Sequence, residues 1–154
     1  MIRALAAFVV LLPTGVLHAQ EGAAPATIVL VVGAAGTPEF GAQFATWADR
    51  WEAAATRGTA EILRVGPGAP DTAGAPDTGG TDRDRLRELL TGLDPAAGTA
   101  PLWFVFLGHG TFDGEHAKLN LRGPDVSARE LSEWLDPIGR PTAVIVCAAS
   151  SGPF

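Results

Sequence analysis

His109 sits between Gly108 and Gly110, directly after Leu102 to Leu107, the most hydrophobic run in the chain. An imidazole at such a place has the makings of a general base, and Gly110 adds a backbone N–H that could approach an oxyanion closely. The glycines would leave the ring unshielded. The plainer reading is a histidine held by backbone carbonyls in a tight strand-to-loop turn. A second group with chemistry follows the next long apolar run, Thr142 to Val146: Cys147, then Ser150 and Ser151. Cys147 and His109 would make a nucleophile and base contributed by separate segments. The plainer reading makes Cys147, the single cysteine, a core residue, since free cysteine is among the most buried residue types. If the two runs are neighbouring strands, their ends lie within about 5–10 Å.

Other clusters are weaker. His109, Asp113, Glu115 and His116 fall within a short span and could hold zinc, but Asp113 and Glu115 flank a turn and should face solvent. Gly33 to Gly36 before a helix hints at phosphate binding, yet the Gly-x-Gly-x-x-Gly spacing is missing. No metal and no cofactor are therefore expected.

The elements that must position these residues alternate. Thr27 to Val32 lacks polar alternation, as a strand covered on both faces does. Thr37 and Pro38 form a helix entry, followed by an apolar stripe of Phe40, Phe44, Trp47 and Trp51, with Arg57 and Gly58 ending the helix. Glu61 to Val65 reads as a strand near an edge. Residues 67–80, in which Gly68-Ala-Pro-Asp-Thr72 recurs as Gly74-Ala-Pro-Asp-Thr78, read as a loop. Thr81 caps a helix through Leu93, with Leu86, Leu89, Leu90 and Leu93 inward. Leu102 to Leu107 should be a central strand. Asp113-Gly114 suits a two-residue hairpin turn, with Ala117 to Leu121 returning. Ser127 and Glu130 form a capping box for a helix with Leu131, Trp134 and Leu135 inward, and Thr142 to Val146 is a last strand. The four tryptophans read mostly as helix-stripe and strand-core residues. Alternation of this kind predicts α/β/α layering, right-handed crossovers, and reactive groups outside the carboxyl ends of the strands.

Apolar strand, Gly108-His109-Gly110, Asp-Gly hairpin, helix, apolar strand and Cys147-Ala-Ala-Ser-Ser-Gly152 together resemble the caspase-like superfamily of cysteine peptidases, nearest its legumain-like branch, over roughly Ile28 to Phe154. The resemblance implies a three-layer α/β/α domain with a mostly parallel, caspase-like sheet and a small β-hairpin. It implies peptide-bond hydrolysis with His109 as base, Gly110 as oxyanion donor and a cysteine nucleophile after the following strand. One departure matters. The legumain-like nucleophile stands three residues before the glycine, which is Ala149 here. Cys147 lies two residues earlier, about 6–7 Å back along a strand. Ser150 or Ser151 could serve as alternative nucleophiles only with a better positioned base. The alternative reading is a catalytically inactive caspase-like scaffold or binding domain. Family members also continue past this point, so either a longer protein or a partner covering the face of the last strand is expected.

Arg3, the apolar run Ala4 to Leu12, the break at Pro13 to Gly15 and the cleavage-like Leu17-His18-Ala19 lay out a secretory signal peptide over residues 1–19. Export to the periplasm or the exterior follows, leaving one domain over residues 26–154. A net charge of −6 with scattered basic residues argues against a nucleic-acid face, and no later run is long enough to span a membrane. The expected partner or substrate is a peptide or protein.

Overall fold

The computed structural model describes residues 24–69, 80–93 and 98–154. The leader 1–19 and most of the 67–80 loop lie outside the described residues. The order of elements is β1 (Thr27–Val32), α1 (Pro38–Arg57), β2 (Glu61–Val65), α2 (Asp82–Gly92), β3 (Leu102–Leu107), β4 (Gly110–Phe112), β5 (Ala117–Leu119), β6 (Val126–Ser127), α3 (Ala128–Leu135) and β7 (Thr142–Cys147). Strands β2-β1-β3-β7 form a four-stranded, all-parallel sheet, and β4-β5-β6 form a small antiparallel one. The protein is an α/β fold.

Alternation along β1 and β3 divides the core in two, because successive side chains leave a strand on opposite faces. Val29 and Val31 with Phe104 and Phe106 pack toward Leu86 and Leu90 of α2 and Leu131 of α3. Ile28, Leu30 and Val32 with Val105 and Leu107 pack toward Phe44, Ala48 and Ala55 of α1. All six residues of β1 are buried, which is why that stretch carries no polar alternation. The chain leaves β1 for β2 on one side and reaches β3 on the other, so the carboxyl ends of β1 and β3 flank the point where strand order reverses. Crevices open at such points.

Local chemistry sets the helix starts. Thr37 accepts from the Phe40 N–H with Pro38 next in line, and both Thr81/Asp84 and Ser127/Glu130 close full capping boxes. The α1 stripe differs from the expected one. The alanines Ala48 and Ala55 sit deepest beside Phe44, Trp47 and Trp51 flank them half-buried, and Phe40 is 43 % exposed. Small residues let the helix axis approach the sheet, which pushes the indoles to the sides. Trp103, expected in the strand core, is 38 % exposed.

The hairpin turn is also longer than two residues. The β4–β5 register leaves Asp113 to His116 as a four-residue loop, closed by Asp113 N–H to His116 O. Asp113 Oδ1 accepts from the N–H groups of Glu115 (3.0 Å) and His116 (2.7 Å), so its carboxylate organises the turn from inside. Strand β6, unforeseen in the sequence, runs straight into the α3 cap. Asp82, only 4 % exposed, receives a two-point bond from Arg122 (2.7 and 2.8 Å), which ties α2 to the segment after β5. Strand β7 lies at the sheet edge with Val144 41 % exposed, and β2 occupies the other edge as expected. Among the described residues no helix is long and apolar enough to cross a membrane.

Candidate active site

The His109 ring lies at the reversal point, bound to the end of the neighbouring strand. Its Nε2 stands 3.1 Å from the Ala35 carbonyl oxygen. A carbonyl only accepts, so Nε2 carries a proton in this contact, and in the neutral ring the lone pair then falls on Nδ1. Two rings of α1 hold the imidazole edge-on: Phe40 at 4.6 Å between centroids and 88°, Phe44 at 5.2 Å and 64°. The ring is half-buried. This is the arrangement of an oriented base with one open nitrogen.

The glycines around it have packing reasons, contrary to the expectation that they serve to unshield the ring. A Cβ on Gly108 would stand 2.7 Å from the Phe106 ring and 3.2 Å from Gly33 Cα. One on Gly33 would stand 2.5 Å from Asn120 O and 2.8 Å from Phe106. Backbone bonds from Gly33 N–H to Leu107 O (2.9 Å) and Ala34 N–H to Asn120 O (3.0 Å) draw these segments together. At Gly110 the obstacle is the Ala149 carbonyl oxygen, 2.1 Å from where a Cβ would be. Gly110 nevertheless keeps a directed N–H. Asn120 N–H donates to His109 O at 2.9 Å, and Gly110 pairs with Leu119, so that pair is the non-bonded one of the ladder. The Gly110 N–H consequently points out of the hairpin.

Strands β3 and β7 are parallel neighbours, so the segment carrying Cys147, Ala149, Ser150 and Ser151 reaches the same rim as His109. Leu107 is in register with Cys147, and Gly108 N–H donates to Cys147 O at 3.3 Å. Two residues further along both chains, Ala149 backs Gly110. Ala149, rather than Cys147, is therefore level with the His109–Gly110 pair. Ile145 packs on the α1 side of the sheet and Val146 on the other, so alternation puts Cys147 on the α1 side. Its thiol is exposed, so the reading as a core residue fails. Ser150 is exposed with φ 57°, and half-buried Ser151 uses its carbonyl to accept from Phe154 N–H at 3.1 Å.

Three contributors went unread in the sequence. Ala35 acts through a carbonyl and Phe40 through an edge contact that no spacing encodes. Asn120 binds His109 O and Ala34 N–H through its backbone, while its amide reaches Asp125 at 2.9 Å. No side-chain signal marks Asn120, because its bonds to His109 and Ala34 are made by its backbone. A cavity of about 420 Å³ lies between α3 and β7 and is lined by Leu131, Ile138, Val144 and Phe154, away from His109. A smaller one of about 130 Å³ shares Ala35 and Phe44 with the surroundings of His109. His116 sits by Asp113 and Glu115 on the exposed hairpin, and no group of three or more His, Cys, Asp or Glu among the described residues is arranged to hold a metal. No protein-family model matches the chain, and no curated protein matches it.

Proposed function

We propose that this chain is a caspase-like domain that receives peptide segments at the rim formed by His109, Gly110 and residues 147–151, and that Cys147 is not its peptidase nucleophile. One observation carries the reading: Leu107 pairs with Cys147, so the residue level with His109 and Gly110 is Ala149. A displacement of about 6–7 Å along a strand is far outside the tolerance for attack, where reacting atoms stand about 3–3.5 Å apart. The domain then acts as a peptidase-like binding or scaffold module, working outside the cytoplasm after removal of residues 1–19.

Restoring the thiol tests this. In a Cys147→Ser background, Ala149→Cys is expected to give a thiol whose alkylation by iodoacetamide titrates below about pH 7.5, returning toward about 8.5 when His109 is also replaced by Ala. The same double variant should gain hydrolysis of a positional library of fluorogenic tetrapeptide amides that the unaltered protein leaves intact. A second reading, an active cysteine peptidase using Cys147, has the exposure of that thiol in its favour. Library hydrolysis by the unaltered protein, lost on Cys147→Ser, would establish that reading in place of ours.

A further inference from the structure

Arg64, Arg83 and Arg122 are each paired with a carboxylate, on Glu52, Glu130 and Asp82. Arg140 is buried more deeply than any of them, at 7 % exposure, and among the described residues no carboxylate pairs with it. Its Nε donates to Ala100 O (2.8 Å), and its Nη2 to Thr27 Oγ1 (3.0 Å) and Pro101 O (3.3 Å). These oxygens orient the guanidinium beside the amino ends of β1 and β3, but none carries a net charge. Nη1 makes no hydrogen bond to the described residues. It is also not one of the enclosed nitrogens without a partner, which are Arg64 Nε and Arg83 Nε, so it stays open to a ligand. A buried cation with no counter-ion is costly, and an anion that reaches it removes that cost.

Arg140 lines the cavity of about 420 Å³ between α3 and β7. That volume falls within the range of small-molecule sites, about 300–1,000 Å³. Leu131, Leu135, Ile138, Val144 and Phe154 give it apolar walls. The other charged lining residue, Asp136, is exposed and accepts from Ser132 Oγ at 3.4 Å.

We propose that this cavity binds a small monocarboxylic acid, with the carboxylate on Arg140 and the hydrocarbon body against Leu131, Ile138 and Val144. Charge complementarity fixes the head, because the guanidinium still has Nη1 to donate and no acid of its own. A single negative charge is expected, since a second would meet Asp136 in the same cavity. Apolar walls fix the body as hydrocarbon. The terminal carboxylate of a peptide would carry the same charge, but the amides behind it would be desolvated against walls that offer them few partners. Arg140 lies at the amino ends of the strands, opposite the rim that carries His109, so the inference does not depend on the peptide-rim reading.

The full chain is titrated with octanoate, 1-octanol, octylamine and an N-acetylated dileucine, followed by backbone amide NMR shifts. Octanoate is expected to bind with a Kd below about 1 mM, shifting Leu131, Val144 and Phe154 while leaving Gly108 to Gly110 in place. Octanol should bind at least about tenfold more weakly, and octylamine and the peptide not measurably. Arg140→Gln should abolish octanoate binding. Because that change also removes bonds to Ala100 and Thr27, two exposed positions decide the matter if the variant fails to fold. Asp136→Asn should tighten octanoate binding several-fold, and Val144→Asp should abolish it. Octanol binding as tightly as octanoate, an affinity indifferent to Asp136→Asn, or shifts confined to the His109 rim would overturn the inference; binding of the peptide in preference to octanoate would overturn the assignment of a free acid.

Discussion

The two halves of the rim are built differently. The half made by Gly33 to Ala35, Gly108 to Gly110 and Asn120 is enclosed: β3 has β1 on one side and β7 on the other, and backbone bonds stitch the loops to each other. The half made by Cys147 to Ser151 hangs from an edge strand with a single neighbour and exposes most of its residues. In the enclosed half, residue types are dictated by steric fit. In the edge half they are free of it, and a strained serine or an exposed thiol there is not a packing requirement.

The largest expected effect breaks the enclosed half. A methyl on Gly33 or Gly108 meets the ring of Phe106, which is fully buried, or the Asn120 carbonyl, and neither can yield. Gly33→Ala and Gly108→Ala should each cost about 3 kcal/mol, the upper range for overpacking, in urea unfolding. The counterpart in the edge half has the opposite sign. Ser150→Gly relieves a left-handed backbone and should stabilise by about 1 kcal/mol. A cost at Ser150 equal to that at Gly33 would erase the contrast.

That contrast also marks what was legible in the sequence. The order of the long strands and helices and all three helix entries follow from apolar runs and capping residues, because those signals are local or periodic; the pairing of β3 with β7, a condition in the sequence, joins distant segments and is seen only in the structure. Glycine function was misread. Flanking glycines carry the same letters whether they bare an imidazole or let Gly33 and Ala149 approach, and the approaching atoms come from distant segments. The α1 stripe failed for a related reason, since hydrophobicity favours tryptophan while close packing on a sheet favours Ala48 and Ala55. The hairpin loop was misjudged because the Asp113 carboxylate substitutes for backbone turn bonds, which a two-residue rule does not foresee.

A middle-sized effect lies where the halves touch. A methyl on Gly110 strikes the Ala149 carbonyl, but that carbonyl belongs to the edge turn, which has room to move. Gly110→Ala should therefore cost only about 1 kcal/mol, with the displacement taken up by residues 148–151. The reporter is Cys147: its alkylation by iodoacetamide should change by several-fold in Gly110→Ala and stay unchanged in Ser151→Ala. A loss of stability as large as that of Gly108→Ala would mean the edge turn is as fixed as the core.

The smallest effect separates the halves by acid. On the exposed hairpin that continues from Gly110, N–H groups of His116 and Glu115 and then the Lys118 ammonium hold the Asp113 carboxyl down at about 2. The Ser127 N–H, its hydroxyl and the Arg83 guanidinium likewise hold Glu130 at about 2, at the cap of the helix that follows the small sheet. Both folded values lie below the unfolded ones, near about 4. Their stabilisation is therefore complete above about pH 5 and drains away as the pH falls through 4 toward 2. Residues 147–151 carry no carboxylate and no such dependence. Hydrogen-exchange protection of Thr111 to Leu119 should accordingly fall between pH 5 and 2.5, while that of Val144 to Cys147 falls less. Asp113→Asn, which keeps the accepting oxygen and loses the charge, should flatten the hairpin's response; an unchanged response in that variant would place the acid-sensitive group elsewhere.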